Sequence, residues 1–147
     1  MCIRDRARIV HLYESYVQEF PQVTGIKARE LRHLLQQGEE IILVDVRSPI
    51  EMAVSMLPGA ITKEEFEQNI TQYQNKMIVA YCTIGYRSGK YARTKQLQGI
   101  KVVNFEGSLL AWSHVQGKLV NSLGETHQVH VFNRQWQLTG DNYQSVW

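Results

Sequence analysis

Cysteine is scarce in this chain: there are two in 147 residues, Cys2 and Cys82. That number excludes a disulfide framework, suits a reducing compartment and leaves Cys82 as a free thiol. An excess of one charge is missing too. Lys and Arg number 16 against 14 Asp and Glu, for a net +2, and no run of five or six basic residues occurs, so nothing calls for a nucleic-acid partner. No window approaches eighteen consecutive apolar residues, and the N-terminus has no basic segment followed by an apolar core and a small-residue cleavage site. The expectation is a soluble, cytoplasmic protein with no membrane partner. The five histidines lack metal-ligand spacing; His127 and His130, three apart on an expected strand, face opposite sides. There is no internal repeat and no low-complexity tract.

What remains is one domain's length of chain, enough to bury a core without metals or bridges. The opening Met1-Cys2-Ile3-Arg4-Asp5-Arg6 resembles the starts that sequencing-adapter read-through leaves on reading frames, so it is given no functional weight. Asn69-Ile70-Thr71 fits a glycosylation sequon and is read as chance. Over residues 7–20 the apolar positions Ile9, Val10, Leu12, Tyr13, Tyr16, Val17 and Phe20 recur near the helical period until Pro21 ends the run. After an extended segment at 23–26, residues 28–36 read as a helix stopped by Gly38.

Ile41-Ile42-Leu43-Val44-Asp45-Val46 is apolar on both faces, as suits a strand in a parallel sheet covered on both sides. Asp45 falls near its carboxyl end, where open α/β sheets place their ligands. Ser48, Pro49 and Glu51 have the order of an N-cap, a first helical residue and a capping-box partner. Residues 57–61 form a turn, and 63–73 read as one polar helix with Phe66, Ile70 and Tyr73 on its buried face. Residues 77–81 and 102–105 are further strands. Each leads into a helix: one running to about Gln98, the other containing Leu109, Leu110 and Trp112. This alternation of strands and helices predicts an α/β fold with a mainly parallel central sheet and helices on both faces. Beyond Val120, residues 129–132 read as a strand, and Trp136, Tyr143 and Trp147 make the tail too aromatic for disorder. The methionines and tryptophans are expected in the core.

The chemistry concentrates at Cys82-Thr83-Ile84-Gly85-Tyr86-Arg87-Ser88. A thiol at the end of a buried strand, followed by a loop of backbone amides and a helix beginning near Ser88, sits where a thiolate or persulfide is stabilised. Gly85 is free to take positive φ. Arg87 brings a permanent charge with forked donors suited to an oxyanion.

Together with Asp45-Val46-Arg47, Leu57-Pro58-Gly59-Ala60 and residues 107–112, this loop resembles the single-domain rhodaneses. The likeness covers roughly residues 23–120, leaving residues 1–22 as an extra N-terminal helical extension and 121–147 as an aromatic C-terminal tail packing on the domain. The resemblance implies a thiosulfate sulfurtransferase. Cys82 would be the nucleophile and persulfide carrier, Thr83, Ile84, Gly85, Tyr86, Arg87 and Ser88 the substrate-binding cradle, and Arg87 also the anion anchor. The partners would be a small anionic sulfur donor and a cyanide or thiol acceptor, which can be an acceptor protein. Neither a metal nor an organic cofactor is required. Related phosphatases carry one more residue between cysteine and arginine, so the six-residue loop disfavours a phosphatase or arsenate reductase. A non-enzymatic redox-sensing or interaction module is the alternative from another class.

Asp45 is read first as a strand-end cap, and as a supporting partner for Arg87 or the loop amides second. Arg47 and Glu51 are expected to pair across four residues. Lys90, three residues past Arg87, would either support the site by drawing anions to its mouth or be a solvated lysine, and Tyr86 would either shield the persulfide or form an exposed loop tip. Two positions depart from the family's pattern: Met56 stands where a histidine is common, and Ser108 where a second glycine is usual.

Overall fold

A computed structural model describes residues 3–147; the discounted Cys2 lies outside the described residues. In chain order the elements are α1 (Ile3–Val17), β1 (Gly25–Ile26), α2 (Ala28–Gln36), β2 (Ile41–Asp45), α3 (Pro49–Val54), β3 (Ile61–Thr62), α4 (Lys63–Gln68), α5 (Ile70–Tyr73), β4 (Met77–Tyr81), α6 (Tyr86–Leu97), β5 (Val103–Phe105), α7 (Ser108–His114), β6 (Leu119–Asn121), β7 (Gly124–Thr126), β8 (Gln128–His130), a 3-10 turn (Arg134–Trp136) and β9 (Gln144–Val146). Five strands form one sheet in the order β1-β5-β4-β2-β3. Every pairing in it is parallel, as the doubly apolar runs require.

Alternation along the central strands divides the core between the two faces of the sheet. Leu43, Val79, Tyr81, Val103 and Phe105 point to one side, where they meet Ile9 of α1, Leu31 of α2, Leu109, Leu110 and Trp112 of α7, and Val129, Val131 and Leu138 of the tail. Val44, Ile78, Ala80 and Cys82 point to the other, against Phe66 of α4 and Ala92 of α6. The register pairs Asp45 with Tyr81, so β2 and β4 end side by side. That brings Asp45 and Cys82 to the same edge of the sheet.

Several elements differ from the sequence expectation, each for a local reason. The helix expected over 63–73 breaks at Asn69, whose side-chain amide donates to the Glu65 carbonyl at 2.8 Å and competes with the helical ladder. α1 stops at Val17 instead of running to Pro21, and two turn hydrogen bonds after it fold Phe20 inward. Phe20 there covers Gly89, where any Cβ would overlap its ring. β8 ends before Phe132, whose φ of 74° takes it out of the extended region. Trp112 is in the core, but Trp147 is exposed, Met77 lies at the surface, and Met52 and Met56 are half-buried.

Candidate active site

Cys82 follows the last residue of β4, and its side chain is 1% exposed. The loop after it is held from below by α7. The amides of Leu109 and Leu110 donate to the carbonyls of Cys82 and Thr83 at 3.3 and 3.1 Å, and the Cys82 amide donates to the Ser108 hydroxyl at 3.1 Å. Ser108 passes its own hydrogen to the Phe105 carbonyl at 2.8 Å. It takes a φ of 43°, and its hydroxyl fastens the start of the loop.

Two groups face the sulfur. The Gly85 amide donates to Cys82 Sγ at 3.2 Å, and the Ser88 hydroxyl lies 3.4 Å away. Gly85 has φ 109° and is the N-cap of α6, a conformation glycine adopts without a steric cost. α6 begins at Tyr86, and the residues at its opening turn toward different neighbours. Thr83 and Ile84 are buried, Ile84 within the core. The Tyr86 ring lies 4.8 Å from that of Tyr16 on α1, and its hydroxyl donates to Glu19. Tyr86 thus joins the loop to the N-terminal segment.

Arg87 is tied to α3. Its Nη1 and Nη2 donate to the two carboxylate oxygens of Glu51, both at 2.8 Å, and Nη2 also reaches Thr83 Oγ1 at 3.1 Å. The Phe132 ring caps the guanidinium at 4.9 Å from its centroid. Glu51 thereby serves two elements, because it also completes the capping box of α3 with Ser48. Burial alone would raise its carboxyl, but the hydrogen bonds and charge of Arg87, helped by Ser48, hold it down at about 2. Burial likewise opposes the charge on Arg87, and the Glu51 carboxylate outweighs it, raising the guanidinium above its ordinary value.

The expected Arg47–Glu51 pair therefore does not form, and Asp45 does not reach Arg87. Asp45 instead takes the Arg47 backbone amide, Nε and Nη2 at 3.0, 2.9 and 2.7 Å. Arg47 Nη2 also donates to the Ser55 carbonyl, and its guanidinium lies over the Tyr81 ring at 5.7 Å. A two-residue separation lets Arg47 fold back on the strand end, while α3 turns Glu51 toward the loop. Lys90 is exposed, with its ammonium 5.1 Å from the Tyr86 ring centroid, beside the site and not in contact with the sulfur.

Residues 27–114 match the rhodanese-like domain family. This chain belongs to that family. Its rhodanese-like segment is 32% identical over 94 residues to YtwF of Bacillus subtilis, an alignment spanning 62% of this chain and 91% of YtwF. It is 30% identical over 95 residues to a sulfurtransferase of Allochromatium vinosum, spanning 62% of this chain and 89% of that protein. Among solved structures, a rhodanese-like domain protein from Staphylococcus aureus superposes with a TM-score of 0.55 at 29% identity, covering 61% of this chain and 91% of the other.

Four residues around the rhodanese-like loop escaped the sequence reading. Glu51 reads from the sequence as a capping-box residue and as a partner for Arg47, not for Arg87. Asn104 sits inside a strand, where nothing marks it as polar support for a distant loop. Tyr13 looked like one apolar position of an amphipathic helix, and Phe132 like part of a strand. Among the described residues no group of three His, Cys, Asp or Glu side chains is arranged to hold a metal ion, and no helix is long and apolar enough to cross a membrane.

Proposed function

We propose that this protein is a thiosulfate-type sulfurtransferase that carries sulfur as a persulfide on Cys82. The observation that supports this most is the Cys82 sulfur at the carboxyl end of β4, facing the Gly85 amide at 3.2 Å inside a six-residue loop closed by Arg87. Its similarity to the Allochromatium vinosum sulfurtransferase agrees with the reading.

The Cys82 thiolate attacks the outer sulfur of thiosulfate. A new S–S bond forms, the old one breaks, and sulfite leaves with its electron pair. The outer sulfur remains on Cys82 as a persulfide anion, beside the loop amides that stabilise it. Cyanide or a thiolate then attacks that sulfur, and Cys82 departs as thiolate, ready for the next donor. Arg87 is 30% exposed in its side chain, so one part of the guanidinium meets the anionic donor while the rest stays locked to Glu51. Thr83, Ile84 and Tyr86 contribute through backbone amides, the Ile84 side chain being turned into the core, that of Tyr86 toward α1 and the Thr83 hydroxyl toward Arg87 and Glu51. The reaction uses no metal or organic cofactor and runs in the cytoplasm, where a free thiol stays reduced.

The test is incubation with thiosulfate. Wild type releases sulfite and gains the mass of one sulfur atom on Cys82, and Cys82→Ser loses both. Wild-type protein that does neither, with thiosulfate or with persulfide donors, sinks the reading and leaves a redox-sensing or docking module.

A further inference from the structure

The Ser88 hydroxyl, 3.4 Å from the Cys82 sulfur, has one hydrogen to give, and its direction is set elsewhere. Asn104, fully buried on β5, donates from Nδ2 to the Gly85 carbonyl at 2.9 Å and to the Tyr13 hydroxyl at 3.0 Å. A carbonyl oxygen can only accept, so the Gly85 contact fixes which end of the amide is nitrogen. The other end, Oδ1, must then face Ser88, and it accepts the Ser88 hydroxyl hydrogen at 2.6 Å. With that hydrogen committed, Ser88 Oγ offers the sulfur only lone pairs. It suits a sulfur that still carries a proton, whereas the Gly85 amide suits one that does not.

We propose that Asn104, whose amide orientation is set by the Gly85 carbonyl and whose position is steadied by the Tyr13 hydroxyl of the N-terminal helix, is a positioning residue that turns the Ser88 hydroxyl hydrogen away from Cys82 and so restrains the reactivity of the resting thiol. Tyr13 does this with two parts of its side chain. The hydroxyl completes the donor capacity of the Asn104 amide, and the ring lies where a Cβ on Gly85 would come within 2.8 Å of it. Burial raises the Tyr13 phenol to about 12, partly offset by the Asn104 hydrogen bond, so its oxygen stays a neutral acceptor. Tyr13 lies outside the matched segment 27–114. The N-terminal helix thus becomes part of the active site instead of an appendage to it.

This inference rests on Cys82 being the reactive sulfur, and its test is chosen to remain informative if sulfur transfer itself is not found. In a Cys2→Ser background, the rate of Cys82 alkylation by iodoacetamide at fixed pH is measured by intact mass for Tyr13→Phe, Asn104→Leu, Ser88→Ala and the two doubles with Ser88→Ala. Freeing the Ser88 hydrogen lets it donate to the thiolate, the form that alkylates. Asn104→Leu is expected to react about fivefold faster and Tyr13→Phe about threefold faster, the size of coupling usual for side chains sharing one network. In the Ser88→Ala background both accelerations shrink below about 1.5-fold, because the hydroxyl through which they act is gone. Accelerations that persist unchanged without Ser88, or rates that do not move in either single variant, overturn the proposal. Should Asn104→Leu fail to fold, Tyr13→Phe keeps its ring against Gly85 and carries the same test alone.

Discussion

Two arginine–carboxylate pairs, one built on Asp45 and the other on Glu51, do opposite work. In Asp45–Arg47 both side chains are 0% exposed, and the carboxylate takes three donors from a residue two positions away. Glu51–Arg87 joins residues far apart in sequence, with the carboxylate 5% and the guanidinium 30% exposed. The first pair is sealed beneath the ends of β2 and β4. The second spans from α3 to the loop and keeps one side in water. A buried charge is tolerated only while its partner stays, so the sealed pair bears on whether the sheet end forms. The half-open pair bears on where the loop sits.

The sharpest way to break the comparison is to remove the sealed carboxylate. Asp45→Ala leaves the Arg47 guanidinium buried without its carboxylate, with only the Ser55 carbonyl and the Tyr81 ring beside it, and is expected to cost about 3–5 kcal/mol. Denaturant unfolding should show the loss as a lower midpoint with an unchanged slope. If Asp45→Ala and Glu51→Gln destabilise equally, the distinction between the pairs is wrong.

The half-open pair has its own signature in acid. In the fold the Glu51 carboxyl is held at about 2, against 4.5 ordinarily, so between those values the unfolded chain binds more protons than the native one. The stabilisation is therefore complete above about pH 4.5 and is lost as pH falls toward 2, a span worth on the order of 3 kcal/mol. Glu51→Gln should flatten that part of the stability-against-pH curve and lower stability at pH 7 by about 2 kcal/mol. Because the change also unfastens Arg87 from α3, kcat for sulfur transfer should fall about tenfold or more. A curve as steep for Glu51→Gln as for wild type would show that other carboxyls govern the acid limb.

The contrast also marks where sequence reading stopped. Local signals survived: the doubly apolar runs at 41–46 and 77–81 became adjacent parallel strands, and Ser48-Pro49-Ile50-Glu51 became a capping box. The same local logic failed for the charges. Four-residue spacing joins side chains only along a continuous helix, and Arg47 precedes the N-cap of α3, so it was free to turn back to Asp45. Glu51 meets Arg87 across 36 residues, and Asn104 meets Tyr13 across 91. No periodicity reports such separations, because they are set by sheet order and not by neighbours in the chain. The loop from Cys82 to Arg87 was legible since its spacing is its geometry. Its supports were not, since they arrive from α1, α3, β5 and the tail.

The smallest change probes the side of the half-open pair that faces water. Phe132 is 52% exposed, and it reaches Arg87 from a segment outside the matched family region. A cation over a ring at such a site is worth only about 0.5–1 kcal/mol. Phe132→Ala should therefore leave the unfolding midpoint nearly unchanged. It also uncovers one face of a guanidinium whose side chain is 30% exposed, so the anionic donor should reach it more easily and bind more tightly. The expected result is a KM for thiosulfate lowered about twofold to threefold with kcat unaltered, the pattern of a change in uniform binding. An uncharged acceptor thiol should show no such shift. If instead kcat falls and KM stays, Phe132 holds Arg87 in place, and the open side of the pair is as structural as the sealed one.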